Sequence, residues 1–166
     1  MPELKLISKE AIPQALAKAT RYRLLNEAAQ AESICRDVLT ADPANQDAIY
    51  TLILALTDQF GHAGAKSIGD TLKLTEQLTD AYHRDYARGI IHERHAGAAL
   101  EGGSMHAGYI AYEYLHQAMT WYEKAEKVRP EKNEDPILRW NACVRMIDQH
   151  RLKPSPEEEQ RAPLGE

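Results

Sequence analysis

The chain has 166 residues, the size of one domain, and 43% of them are hydrophobic, enough for a continuous core. Its 20 basic and 25 acidic side chains leave a formal charge of −5, which argues against broad nucleic-acid binding, since that requires a basic surface to displace counterions. No segment approaches the ~20 apolar residues of a membrane span, no signal-peptide core opens the chain, and Cys35 and Cys143 form no CxxC pair, so a cytoplasmic protein that engages neither membrane nor nucleic acid is expected.

Glycine (9) and proline (8) are few. Ala, Leu, Glu, Gln, Lys and Arg dominate, while Val, Phe and Thr are too scarce to build a set of strands. An all-α domain of about seven helices over residues 1–150 is therefore predicted, followed by a disordered Pro/Glu-rich tail over 151–166. Helix one is expected over 8–25, with Ser8 as N-cap, Pro13 in its first turns, and Ile12, Leu16, Ala19 and Tyr22 as an apolar stripe. Asn26-Glu27 reads as the turn into helix two, over 27–40, which directs Ala31, Cys35 and Val38 inward and stops at Pro43. Helix three, over 46–59, carries Ile49, Leu52, Ile53 and Leu56 and ends at Gly61 and Gly64.

The stretch 65–100 has helical character almost throughout. One helix of that length is unusual in a compact domain, so a break near Thr79-Asp80 is predicted, giving helices over 65–79 and 81–101. Gly102 or Gly103 supplies a left-handed C-cap and Ser104 a cap for helix six, over 105–128. Helix six is apolar on two sides, as a helix between two neighbours should be. Asp135-Pro136 starts helix seven, over 135–150, with proline in the position a helix start tolerates.

Tyr22, Ala31, Cys35 and Pro43 are spaced by nine, four and eight residues. Ala118, Tyr122, Ala125 and Pro130 form a second set of small residue, aromatic, small residue and helix-ending proline. These spacings resemble the tetratricopeptide repeat, in which the small residue lets two helices approach, the aromatic fills the gap to the next pair and the proline ends the second helix. The two prolines lie 87 residues apart, where two repeats of about 34 would put them about 68 apart. The middle repeat departs accordingly: Ala65 fits, but Gly69 and Gln77 replace the aromatic and the proline. The resemblance implies a right-handed superhelix of antiparallel helix pairs with a C-terminal capping helix, whose exposed face Asn141, Arg145 and Gln149 would keep polar. It also implies a concave groove for a protein or peptide, lined by the first helix of each pair. Those positions are Leu16, Thr20 and Arg23 on helix one and Tyr50, Leu54 and Asp58 on helix three. The subtype that grips a peptide's C-terminal carboxylate uses Lys and Asn in the groove, and Leu16, Thr20, Tyr50 and Leu54 do not match it.

Other residues suggest other chemistry. Arg84, Arg88, His92 and His95 fall on one face of helix five, either as a cationic strip for an acidic partner or as a solvated face. His92 and His95 lie one turn apart, and Glu113 and His116 form an E-x-x-H unit of the kind used in helical-bundle metal sites. The set lacks the second copy and the further glutamates such sites need, so a metal protein or enzyme using His92, His95, Glu113 and His116 is the alternative rather than the main expectation. Tyr82, Tyr86, Tyr109, Tyr112, Tyr114 and Tyr122, with Trp121 and Trp140, line either a pocket between helices five and six or a core. Gly89, Gly97 and Gly108 lie inside helices, where close helix contact is the expected reason for glycine, and Gly97 and Gly108 are expected to let helices five and six touch. No nucleophile–base spacing, G-x-G-x-x-G or P-loop occurs. The expectation is a non-catalytic binding scaffold without cofactor, with self-association through Tyr50 and Leu54 as a third reading.

Overall fold

Asn26 adopts φ +62°, the left-handed conformation that ends a helix most cheaply when the residue is Gly or Asn. There α1 (Ile12–Leu24) reverses into α2 (Ala28–Ala41), closed by the Glu27 N–H donating to the Tyr22 carbonyl at 2.8 Å. The structure is a computed structural model and describes residues 1–161. Ser8 does not cap α1; it opens a 3-10 turn at Lys9–Ala11, and Ala11 becomes the residue before the helix.

Asn45 begins α3 (Gln46–Thr57), its side-chain oxygen accepting from the Ala48 N–H at 2.9 Å. More than half of α3 is buried, including Ile49, Leu52, Ile53 and Leu56, each contributing about 1.5–3 kcal/mol by leaving water. It is the central helix, touching α1, α2, α4 and α5. Gly61 and Gly64 follow it at φ +84° and +78°. Ser67 then caps the short α4 (Ile68–Thr75), and Asp80 caps α5 (Ala81–Gly102). The stretch 65–101 thus holds two helices with a break before Asp80 as expected, but α4 covers only 68–75 of the 65–79 expected, since Ser67 caps it late and the chain leaves the helix at Glu76. Gln46 holds the break in place, accepting from the Thr79 N–H at 2.9 Å and donating to the Gln77 carbonyl at 3.2 Å.

Gly103, at φ +64°, turns α5 into α6 (Ala107–Lys127). Ser104 offers only its backbone carbonyl to Ala107 N–H, and no side chain caps α6. The expected close contact at Gly97 and Gly108 is absent: a Cβ on Gly97 would meet nothing within 4 Å, and one on Gly108 would meet Leu152 at 3.8 Å. The glycine that lets α5 and α6 approach is Gly89, where a Cβ would stand 2.3 Å from the Tyr122 ring. Pro136 sits in the first turn of α7 (Asp135–Gln149). Beyond it Leu152 packs back on the core, and α8 (Pro156–Arg161) starts at Ser155; residues 162–166 of the expected tail lie outside the described residues.

Consecutive helices from α1 to α7 pack pairwise along the chain, and α1–α3 and α3–α5 are also in contact. The apolar interior follows the same order. One cluster joins α1, α2 and α3 around Cys35 and Leu52, a second joins α3, α4 and α5 around Ile53 and Ile91, and a third joins α5, α6 and α7 around Leu115 and Tyr122. A core laid out in series, each part shared by neighbours only, is consistent with a solenoid arrangement. Among the described residues, no helix is long and apolar enough to cross a membrane.

Candidate binding face

α1, α3 and α5 lie side by side, α7 reaches α5 through Arg139, and the face they share carries two groups of charged residues. In the first, Asp58 at the end of α3 accepts from Arg23 of α1, Nε at 2.7 Å and an amino nitrogen at 3.4 Å. Arg94 of α5 approaches the same carboxylate to 3.8 Å. Asp58 therefore ties three successive odd helices.

In the second, Glu93 of α5 is nearly buried, 6% exposed. One carboxylate oxygen accepts from the Tyr122 hydroxyl at 2.5 Å and the other from Arg139 of α7 at 3.0 Å. A buried carboxylate is tolerated only when bonded in this way. Burial first, and Glu93 second, push the Tyr122 hydroxyl far above its ordinary range. Burial is the largest single influence and would lower Arg139, but Glu93, Tyr122 and Tyr86 together outweigh it and the guanidinium is held above its usual value. Tyr86 lies against the Tyr122 ring at 5.7 Å between centroids and stacks on Tyr82 at 5.6 Å. Asn133 donates to the Tyr82 hydroxyl at 2.9 Å, fastening the α6–α7 loop to α5. Tyr122, fully buried, and Tyr82 are thus core, whereas Trp121 and Trp140 line open depressions and Tyr109 is exposed.

Between the two groups opens a cavity of about 490 Å³, walled by Asp58, Glu93, Arg94, Gly97, Glu101, Arg139 and Met146, among others. Gly97 lies inside α5, where glycine costs about 1 kcal/mol relative to alanine, and no neighbour requires it. A second depression of about 440 Å³ lies between α1 and α3, lined by Leu16, Thr20, Asp47 and Tyr50 among others.

The residues singled out from the sequence separate on this frame. Leu16, Thr20 and Tyr50 share the second depression, and Arg23 and Asp58 pair with each other. Leu54 is half-buried against the α5–α6–α7 cluster. The stripe on α5 faces α4 and α6. Arg84 donates to the Leu78 carbonyl at 3.2 Å and Arg88 to the Thr75 hydroxyl at 3.0 Å, with the Arg88 guanidinium 4.7 Å from the Trp121 ring centre. His92 is buried with Nδ1 2.7 Å from the Arg88 carbonyl, and His95 packs on Tyr114 at 4.3 Å. Burial holds both histidines below their ordinary range. Glu113 and His116 lie exposed on α6, and among the described residues no three His, Cys, Asp or Glu side chains converge where a metal could sit. That weakens the metal reading.

Glu93, Arg94, Gly97 and Arg139 were not picked out as a group. A signal was present: Tyr86, Ile90, Glu93 and Gly97 recur at steps of four, three and four, which sets a glutamate within an apolar stripe. Its partners on α6 and α7 come from 29 and 46 residues away, and no local pattern names them.

These features define an all-α protein of serially packed helices whose alternate members share a charged, cavity-bearing face. Against models of protein families, curated proteins and solved structures, the chain finds no match.

Proposed function

We propose that the protein is a non-catalytic scaffold that holds a protein or peptide along the face of α1, α3, α5 and α7. The observation that carries this reading is the contact of alternate helices, α1 with α3 and α3 with α5, with a cavity of about 490 Å³ opening across that row from the α1–α2 turn to α7. In a stack of helix pairs the first helix of each pair lines one side, and that side is the surface such stacks offer to partners.

The finer assignment, a tetratricopeptide-like right-handed superhelix, draws support from the same order. The pairs are α1–α2, α3–α4 and α5–α6, with α7 as cap. Ala31 and Ala118, the small residues of the two motif matches, are completely buried, as are Cys35 and Tyr122 at the aromatic positions. The short α4 takes the second place of the middle pair, which accounts for the poor match there. Arg145 and Gln149 of α7 are exposed, as the capping role expects, but Asn141 is half-buried and the apolar Leu138 and Val144 are exposed on the same helix.

Photo-crosslinking tests the reading. Benzoylphenylalanine introduced at Thr20 or Glu101, both on the alternate-helix face, should give a discrete adduct in cells, and the same residue at the exposed Glu131 should not. Adducts from Glu131 but from neither face position would refute it. An adduct of twice the chain's own mass would assign the face to self-association.

A further inference from the structure

The two ends of the helical row complement each other in charge and in apolar surface. Among the described residues the series of packed helices stops at α7. There a depression of about 350 Å³ lies between α6 and α7, lined by Glu123, Glu126, Ile137, Trp140 and Asn141. Val144, one turn beyond Trp140 on the same flank of α7, and Val128, just past α6, are exposed. The last helix of a stack ordinarily turns a polar face outward; this one does not. Both charges at the depression are acidic. Glu123 accepts from the Trp140 Nε1 at 3.1 Å. Of the cations on that side, Lys124 lies 4.1 Å from the Trp121 ring centre and Arg129 pairs with Glu134.

At the other end, α1 contains no Asp or Glu. Gln14, Ala17, Lys18, Arg21 and Leu24 recur at steps of three and four and form one exposed stripe, with Leu25 beside it. Leu24 is 83% exposed and Leu25 62%. Arg23 is committed to Asp58, and Asp37 of α2 shares a depression with Lys18. Among the described residues no ion pair involves Lys18, Arg21, Asp37, Glu123, Glu126 or Lys127.

The spacing fits as well as the sign. Lys18 and Arg21 are three residues apart, as are Glu123 and Glu126. An α1 laid parallel to α6 sets Lys18 against Glu123 and Arg21 against Glu126 together. Leu24 and Leu25, one turn further, then reach the level of Val128 and the start of α7. Laid the other way, the charges still meet, but Leu24 and Leu25 fall toward the exposed, polar Thr120.

We propose that α1 of one copy of this chain seats in the α6–α7 depression of the next, so that copies associate end to end. Each copy keeps one free end, so growth is open rather than closed at two. The buried surface is small, below the roughly 1,200 Å² of a stable interface, so assembly needs concentrated protein and leaves the dilute in-cell control at Glu131 silent. The junction does not depend on the peptide-face reading.

Sedimentation velocity on the full chain from about 10 μM to about 1 mM, the range of weak association, tests it. The wild-type sedimentation coefficient should rise throughout without levelling at a dimer. Lys18→Glu/Arg21→Glu and Glu123→Lys/Glu126→Lys, all at exposed positions, should each stay monomeric with unchanged circular dichroism. An equimolar mixture of the two should assemble again, because each variant has two like-charged ends that match those of the other. Leu24→Ser/Leu25→Ser, which keeps the charges, should weaken association about tenfold through lost apolar burial. A monomeric wild type, a species that stops at two copies, a charge variant that assembles as wild type does, or a mixture that stays monomeric would overturn the proposal. None of these outcomes alters the crosslinks expected at Thr20 and Glu101.

Discussion

Substituting Gly89 and Gly97 by alanine should move stability in opposite directions, although both lie in the same helix. At Gly89 the new methyl would stand 2.3, 2.6 and 2.9 Å from three atoms of the Tyr122 ring. Tyr122 is fully buried and cannot swing aside freely; its hydroxyl is also bonded to Glu93 at 2.5 Å. Overpacking of this kind costs about 1–3 kcal/mol, and loosening a hydrogen bond to a charged group adds about 1.5–3 kcal/mol. The better helix propensity of alanine offsets about 1 kcal/mol. The net expectation for Gly89→Ala is a loss of about 2–4 kcal/mol, or a Tm lower by roughly 5–15 °C in a chain of this length. Gly97→Ala meets no neighbour and should raise stability by up to about 1 kcal/mol. Urea and thermal unfolding followed by circular dichroism measure both. The double variant Gly89→Ala/Tyr122→Leu should be less destabilised than the sum of its parts. A Gly89→Ala protein as stable as wild type would show that α5 and α6 do not meet at this point, and the placement of Glu93 would fall with it.

Two further outcomes follow from the same network. Glu93→Ala leaves the Tyr122 hydroxyl and Arg139 without their buried acceptor; the full cost of a broken buried pair, about 3–5 kcal/mol, is reduced to about 2–3 kcal/mol because Arg139 is 35% exposed. Glu93→Gln, which keeps an acceptor, should cost less, and equal urea midpoints for the two would contradict this account. His92 and His95, held by burial below the ordinary 6.5, make stability fall on acidification: the unfolded chain takes up protons first as pH drops through 6.5, while the folded chain resists. The Tm should therefore be lower at about pH 5.5 than at about pH 7.5, with a shallower slope in His92→Gln; a flat profile, or one rising toward acid, would count against buried neutral histidines.

The helices are legible because several carry their own punctuation, although the caps expected at Ser8 and Ser104 do not form. Asn26, Asn45, Asp80 and Gly103 act where local chemistry says they should, and the 3.6-residue stripes place Ala31, Cys35, Leu52 and Leu115 inside. The break within 65–101 was readable for the same reason, as Asp80 is a strong cap. The site was much less readable. The α5 stripe of Arg84, Arg88, His92 and His95 is apparent as a face, yet spacing along one helix cannot say which neighbour that face meets, and here α4 and α6 flank it, with Arg88 and His92 lining a depression between them. Gly97 and Gly108 read in the sequence as points of helix contact because glycine marks both close approach and empty space, and only the neighbour's position tells them apart. Glu93 needed Tyr122 and Arg139, which depend on how three helices stack.

The serial layout of the core also bears on the two thiols. Cys35 belongs to the cluster at one end of the helical row and Cys143 to the cluster at the other, both with no exposed surface. Burial raises them to about 11 and about 12, so neither is a reactive thiolate at neutral pH while its surroundings remain closed. Each alkylation rate then reports the opening of one terminus alone, and a timed iodoacetamide experiment on the unmodified chain would read out whether the row melts as a unit or frays from one side.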